Sequence, residues 1–212
     1  MLRNALLFRC TLAVALALAA VGPAAAQEEA AAAPAAEGGF QSDVATDLER
    51  TGGRLVALAE AIPADKYGWR PAEGVRSVSE VFVHVANANT LLPPVIGAPP
   101  PADVSLPPDR PAAMAWMRER EATVTAKDDV LDELRQSVDY AAGAVRGLAT
   151  PALEEEIDFF FPASRRAYAL ILLTHNHEHL GQAIAYARSI GVTPPWSEAG
   201  EAPAEEPASE GF

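Results

Sequence analysis

The stretch that decides the fold runs from residue 164 to residue 191 and reads SRRAYALILLTHNHEHLGQAIAYARSIG. Ser164 is a good helix N-cap, and Gly191 suits the left-handed residue that often follows a helix. Between them, side chains recur at the three- and four-residue spacing of one helix face. That face carries Tyr168, Ile171, Leu172, His175, His179, Gln182 and Tyr186. The pattern predicts one long helix of about 26 residues, nearly 40 Å in length.

Two segments with the same period precede it in the first half of the chain. Apolar residues recur between about 43 and 61 and predict a helix that Pro63 ends. The pair Ser77 and Glu80 fits a capping box, in which each side chain bonds the other residue's backbone amide. We expect the second helix to run from this box to about Leu92, because two prolines follow.

The middle of the chain supplies the remaining long helix and an irregular connection. Residues 97–111 are rich in proline and predict a stiff crossover, followed by a short helix around 112–121. A long helix over about 126–148, with Thr125 as its N-cap, shows the alternating steps of antiparallel bundles. No alternating strand pattern competes with these helices. The sequence predicts an all-α fold, an antiparallel four-helix bundle with a long crossover connection.

The N-terminus has the pattern of a signal peptide. Arg3 and Arg9 precede an apolar run at 10–21, which is too short to span a membrane comfortably, and alanines fill 24–26. We predict a signal peptide over 1–26, cleaved before Gln27, and an exported protein that is periplasmic or secreted. An uncleaved membrane anchor is the alternative.

Cleavage would change the charge and the ligand chemistry of the mature chain. The net charge of -13 would become -15, because two arginines are removed with no acidic residue. The only cysteine, Cys10, would also be lost, which leaves no thiolate ligand or nucleophile. The acidity argues against nucleic-acid binding, and we expect no membrane association after cleavage.

The remaining composition predicts one folded domain between two solvated segments. Residues 27–39 are mainly Ala, Glu, Pro and Gly and predict a disordered linker. Residues 197–212 contain five glutamates and predict a disordered acidic tail. The bundle is expected over 40–196, a length that suits a single core.

The histidines are the candidate metal ligands. His175 and His179 stand four residues apart on the long helix, which places them on one face at about 5–6 Å. That spacing lets two imidazoles hold one metal ion. His84 lies on the apolar face of the second helix, and a shared divalent ion would satisfy all three buried rings at once. The alternative is that His175 and His179 are ordinary polar residues on a partly exposed helix.

Neighbouring polar residues are assigned by helix geometry. His177 lies two positions from His175 and from His179, about 200° around the helix, and is expected at the surface. Glu178 is expected to face solvent, and a carboxylate near the site is the alternative. Gln182 shares the face of His179 and is placed to orient a ligand or a bound water.

Three separated motifs give the chain a family resemblance. They are IPADKYGWRP at 62–71, GVRSVSE at 74–80 with His84 downstream, and HNHEHLGQ at 175–182 followed by AYAR at 185–188 and GVTPPW at 191–196. In this order they resemble the DinB-like family of four-helix bundle proteins, over about residues 43–196. The proline-rich 97–111 segment and the acidic ends depart from the family.

The resemblance implies a metal site and leaves the reaction open. It implies that His84, His175 and His179 are the family's three metal-binding histidines and that the ion is a divalent cation, zinc or nickel. Some relatives are transferases or isomerases that depend on low-molecular-weight thiols.

Two functions follow as hypotheses. The first is a metal-dependent hydrolase or transferase acting on a small molecule, with Tyr168, Tyr186 or Gln182 assisting and residues 159–161 (Phe-Phe-Phe) walling the pocket. The second is a non-catalytic bundle that binds a metal or ligand, or that presents a face to a partner. A structural domain with a vestigial site is a third reading, and a homodimer is an assembly that either function allows.

Overall fold

We describe the fold from a computed structural model, which defines residues 39–102 and 104–198. The predicted signal peptide, all but the last residue of the predicted linker, and the chain beyond residue 198 lie outside the described residues. Those assignments, and the domain limits that follow from them, stay predictions. No described helix combines the length and the hydropathy needed to cross a membrane.

The defined residues form six α-helices and one short β-hairpin. The helices are α1 Phe40–Ala61, α2 Val78–Val95, α3 Arg110–Thr123, α4 Lys127–Arg146, α5 Arg165–Ser189 and α6 Pro195–Glu198. The antiparallel strands are β1 Glu156–Asp158 and β2 Pro162–Ser164. The all-α prediction is confirmed. The hairpin was not predicted because strands of three residues are too short to show an alternating pattern.

Four helices make the bundle. Helices α4 and α5 each pack against both α1 and α2, so α1 lies diagonally opposite α2. Helix α3 packs on the outside of α2, and the hairpin lies beside the start of α5. As a result, α2 and α5 are neighbours along one side of the bundle although 69 residues separate the end of α2 from the start of α5.

The core contains two large apolar clusters, and a small third cluster of Leu91, Ala113 and Met117 lies between α2 and α3. One large cluster contains Leu58, Phe82 and Leu134, and the other contains Leu48 and Tyr168. Between α2 and α5, the side-chain amides of Asn89 and Asn176 exchange hydrogen bonds at 2.7 and 3.3 Å. Because both asparagines are buried, this exchange satisfies polar groups that would otherwise destabilise the core.

The predicted end of α1 before Pro63 and three predicted capping signals agree with the structure. The capping box of Ser77 and Glu80 forms as expected. Ser164 caps α5 by accepting a hydrogen bond from the Ala167 amide, and Gly191 has φ of 82° just beyond the helix. These local signals are set by neighbouring residues alone, which is why the sequence predicts them.

Two other helix ends differ from the prediction. Helix α2 continues through Pro93 and Pro94 to Val95, since the missing proline amides fall in the last turn and the Ile96 amide still reaches the Leu92 carbonyl. Helix α4 begins at Lys127, so Thr125 is not its N-cap. The Lys127 ammonium donates to two carbonyls at the end of α1, which fixes where α4 starts.

Candidate metal centre

Three histidines from two helices converge on the side of the bundle where α2 packs against α5. One nitrogen of each of His84, His175 and His179 lies within 4.8 Å of the other two. The closest pair is His84 Nε2 and His175 Nε2, which are 3.1 Å apart. The three ring centroids are 4.4 to 5.0 Å from one another. The structure therefore brings together all three residues that the sequence singles out.

His84 is oriented by a carboxylate. Its Nδ1 lies 2.7 Å from Oε1 of Glu121, and Oε2 of Glu121 accepts a hydrogen bond from Arg76 Nε at 2.9 Å. An ionised carboxylate only accepts, so His84 Nδ1 donates to Glu121, and Nε2 is the nitrogen that faces His175. Burial raises the pKa of Glu121, but the hydrogen bonds from His84 and Arg76 outweigh it and leave that pKa below its ordinary value.

His179 is oriented in the same way by a neutral group. Its Nδ1 lies 2.8 Å from Oε1 of Gln182, whose Nε2 donates to the Tyr186 hydroxyl at 3.1 Å. This chain fixes the amide of Gln182, so its oxygen accepts from His179 Nδ1 and leaves Nε2 of His179 unprotonated. The predicted orienting role of Gln182 agrees with this contact. Tyr186 in turn orients Gln182 by accepting its hydrogen bond.

His175 is held neutral by its surroundings. Burial is the largest effect on its pKa, which falls to about 3, and the neighbouring His179, His84 and Arg76 lower it further. Burial likewise lowers the pKa of His179. Both rings are therefore neutral at pH 7. Nδ1 of His175 is buried and has no hydrogen-bond partner among the residues that the structure defines.

This donor set fits a divalent metal ion. The lone pairs of His84 and His179 are aimed by Glu121 and Gln182, the arrangement typical of metal-ligating imidazoles. Nε2 atoms 3.1 Å apart repel each other unless a proton or a cation lies between them. Two imidazoles on one tetrahedral zinc ion would have nitrogens about 3.3 Å apart, given bonds of about 2.0–2.1 Å. The observed separation is close to that value.

The other predicted neighbours lie away from the triad. Nε2 of His177 is 3.0 Å from Asp47 Oδ2 and 3.2 Å from Thr51 Oγ1, both on α1. This position agrees with the 200° rotation expected from its place in the helix. Glu178 is exposed, as predicted.

Tyr168, predicted to assist at the site, lies elsewhere. Its hydroxyl accepts hydrogen bonds from the backbone amides of residues 159–161 and donates to a carbonyl in the same loop. Tyr168 therefore anchors the hairpin and does not reach the histidines.

Comparison with known proteins places this chain in a family. A model of the DinB superfamily matches residues 47–183, which include the whole triad. The chain belongs to the DinB superfamily. No curated protein matches the sequence.

Solved structures of DinB-like proteins share the fold. A DinB-like protein from Bacillus cereus is 18% identical with a TM-score of 0.55, over 74% of this chain and 93% of its own. The DinB-like protein YjoA from Bacillus subtilis is 23% identical with a TM-score of 0.54, over 71% and 94%. A conserved protein from Enterococcus faecalis is 18% identical with a TM-score of 0.51, over 68% and 93%. At these identities the likeness establishes a DinB-like fold and nothing further.

The sequence did not single out two residues that support the triad. These are Glu121 and Arg76, which orient His84. A signal for Glu121 does exist, because Ala113, Met117 and Glu121 recur at four-residue steps and are the buried residues of α3. A carboxylate on an apolar stripe indicates a buried partner. No comparable pattern marks Arg76, which lies in the loop before α2.

An apolar pocket of about 250 Å³ adjoins the triad. His84 and His175 form one part of its wall. Two elements outside the four-helix bundle close the rest, namely α3 and the hairpin loop with Phe159 and Phe160. These two phenylalanines line the pocket, as the sequence suggested for the run 159–161, while Phe161 is 51% exposed and does not.

Proposed function

We propose that this protein binds one divalent metal ion through His84, His175 and His179, and that it is a metal-dependent hydrolase or transferase of a small molecule. The observation that carries the proposal is the orientation of the triad. Two rings are held through Nδ1 by Glu121 and Gln182, and the third is neutral by burial. Imidazole ligands suit zinc and nickel, and three of them leave a coordination position for substrate.

A bound divalent ion would supply Lewis acidity, which polarises a substrate oxygen and lowers the pKa of water or of a thiol. The chain's own residues supply the positioning. Glu121 and Gln182 orient their histidines, and the apolar pocket adjoins the side of the triad that His84 and His175 border. The nucleophile in this scheme is water or a co-substrate thiol.

A non-catalytic metal-binding or ligand-binding bundle is the second candidate. One observation favours it: the described pocket wall contains no carboxylate, lysine, tyrosine or cysteine that would act as a general acid or base. The carboxylate nearest the triad, Glu121, is already engaged by His84 and Arg76. A binding role needs only the ligands and their orientation.

Export is proposed on the N-terminal pattern described above. Basic residues, a short apolar run and an Ala-x-Ala site support cleavage before Gln27. Intact-mass measurement of the protein recovered from the culture medium or the periplasm tests it. A mass that begins at Gln27 is expected, whereas a cytoplasmic chain that retains residues 1–26 contradicts export.

Metal analysis of the purified, untagged protein tests the site. We expect one equivalent of metal in the wild type and loss of stoichiometric metal in His84→Ala, His175→Ala and His179→Ala. His177→Ala is the matched control, because it removes an imidazole from the same helix without touching the triad, and it should retain the metal. Stoichiometric metal in the triple variant of the triad would overturn the assignment.

A panel of esters, amides and thiol conjugates separates the two candidates. A metal-dependent enzyme should turn over at least one class, and the activity should be lost on chelation and restored by added metal. An absence of turnover across the panel with metal fully bound favours the binding role.

A further inference from the structure

The pocket beside the triad is apolar apart from its two histidines. Helix α2 contributes Ala88, Leu91 and Leu92, and α5 contributes Ile171. The α2 residues are buried, so they form the floor of the pocket. Ile171 is partly exposed and lies toward its mouth.

Helix α3 and the hairpin loop cover this floor. Ala113 and Met117 of α3 are buried, whereas Met114 and the loop residues Phe159 and Phe160 are partly exposed. Methionine side chains are flexible and adapt to apolar groups of different shape. The cover is therefore apolar on every side, with adaptable residues at its edge.

The nearest charged groups are engaged elsewhere. Arg76 is hydrogen-bonded to Glu121, and the Arg110 guanidinium lies 5.4 Å from the centroid of the Phe160 ring in a cation–π contact. Apart from the two histidines, none of the described lining residues has an ionisable side chain. A charged ligand group in this pocket would lose its hydration without gaining a partner, which is strongly unfavourable.

The size of the pocket limits what fits. Its volume is about 250 Å³. An apolar cavity of about 150 Å³ is enough to bind benzene. The pocket therefore has room for one aromatic ring or a short branched chain, together with a small polar group at the histidines.

We infer that the substrate carries an uncharged apolar group, about the size of one aromatic ring, next to the polar group that meets the metal. The apolar group occupies the space between α2, α3 and the hairpin loop, and the polar group lies at His84 and His175. This inference rests on the proposed metal site for the position of the polar group.

Hydroxamates that share a metal-binding head test this arrangement. Acetohydroxamate carries a methyl group, benzohydroxamate a phenyl ring and lysine hydroxamate a cationic chain. Binding to the zinc-loaded full chain is measured by calorimetry. We expect benzohydroxamate to bind at least tenfold more tightly than acetohydroxamate, and lysine hydroxamate to bind no more tightly than acetohydroxamate. Equal affinities of acetohydroxamate and benzohydroxamate for fully zinc-loaded protein would overturn the inference.

A pair of variants on α3 assigns the preference to the pocket. Met114→Glu adds a charge at the pocket edge, whereas Ala115→Glu adds the same charge at the next position, which is exposed and outside the pocket. Met114→Glu should bring the benzohydroxamate to acetohydroxamate affinity ratio close to one without changing zinc content. Ala115→Glu should leave the ratio as in the wild type. Equal ratios in the two variants would contradict the assignment.

A metal-free measurement separates this inference from the metal site. Toluene has no metal-binding head, so its binding to chelator-treated protein, followed by NMR chemical shifts, depends on the pocket alone. We expect saturable shifts in the wild type and in Ala115→Glu, and their loss in Met114→Glu. Toluene binding without zinc binding would refute the metal proposal and support the apolar pocket. Zinc binding without toluene binding would support the metal site and refute the inference about the apolar group.

Discussion

His84, His175 and His179 are held as candidate ligands by three different means. A carboxylate orients His84, an amide orients His179, and burial keeps His175 neutral. Because these supports are already in place, the rings need little rearrangement to bind a metal ion. The dependence of each ring on its own support makes the three separable by mutation.

Glu121→Gln should weaken metal binding without removing a ligand. The amide oxygen can still accept from His84 Nδ1, but the negative charge that raises the basicity of the ring is lost. We expect about a tenfold loss of zinc affinity, at the low end of the tenfold to hundredfold range for such partners. Glu133→Gln is the control, because Glu133 pairs with Arg120 away from the triad. Competition against a chelator measures both, and unchanged affinity in Glu121→Gln would refute the orienting role.

The metal-free protein should lose stability in acid through His175. Its pKa is about 3 in the folded chain and about 6.5 when unfolded, so the unfolded state binds the extra proton first. The free energy of unfolding should therefore fall as the pH drops from about 6.5 towards 3. Urea unfolding across this range should show a smaller fall in His175→Gln than in the wild type. Identical pH profiles of His175→Gln and wild type would contradict the assignment.

Among individual residues, the sequence predicts the three candidate ligands better than the residues that orient them. The triad follows from helical spacing together with the apolar stripe that carries His84. Glu121 depends on how α3 packs across α2, and this contact between residues 37 positions apart has no local pattern that fixes it. Metal ligation itself remains a prediction, although the triad's geometry agrees with it.

The paired glycines of α1 show how packing overrides helix propensity. Propensity alone counts both Gly52 and Gly53 as unfavourable by about 1 kcal/mol each. In the structure Gly52 is buried against α4, where an added Cβ would overlap the side chain of Val138. Gly53 is exposed, and an added Cβ would meet nothing within 4 Å. Only Gly52 is required for the close approach of α1 and α4.

Alanine at these two positions should have opposite effects. Gly52→Ala should lower the free energy of unfolding by about 1–3 kcal/mol, the usual cost of overpacking a core. Gly53→Ala should raise it by up to about 1 kcal/mol through better helix propensity. Urea unfolding of the metal-free protein measures both. A stabilising Gly52→Ala would show that the two helices do not pack as described.

The hairpin loop depends on the hydroxyl of Tyr168. This single oxygen accepts three backbone amides and donates to one carbonyl, so it holds Phe159 and Phe160 over the pocket. Tyr168→Phe should weaken toluene or benzohydroxamate binding several-fold and leave metal content unchanged. Tyr140→Phe is the control, because it removes a hydroxyl that donates to the Pro99 carbonyl, outside this loop. Unchanged ligand binding in Tyr168→Phe would refute the anchoring role.

Element prediction succeeds where local signals suffice. The long helices follow from periodicity and caps, since each period is set by one segment alone. The start of α4 does not follow from such local signals, because the Lys127 ammonium donates to carbonyls at the end of α1. The end of α2 does not either, because Pro93 and Pro94 lie in its last turn, where the helix tolerates their missing amides. The hairpin is held by a tyrosine outside its strands, and a pattern within the strands does not reveal that.

Across the whole molecule, a metal on the triad would join α2 to α5. Ligand binding to the native state raises stability by about 2.7 kcal/mol when free metal exceeds its Kd a hundredfold. For a domain of this size, that corresponds to a rise in Tm of roughly 5–10 °C. Thermal unfolding with and without zinc should show this rise in the wild type and in His177→Ala. The rise should be absent in His84→Ala, and an equal rise there would place the stabilising metal elsewhere.

The separation of the triad along the chain also has a consequence for synthesis. His84 and His175 are 91 positions apart, and two of the three ligands lie on α5, the last long helix. A growing chain, or one still threading through a translocation channel, presents His84 long before the other two imidazoles. On the proposed metal site, an ion would be captured only after α5 has docked beside α2. Metal uptake would then report that the polypeptide is complete, because a product truncated before residue 175 would retain one ligand of three.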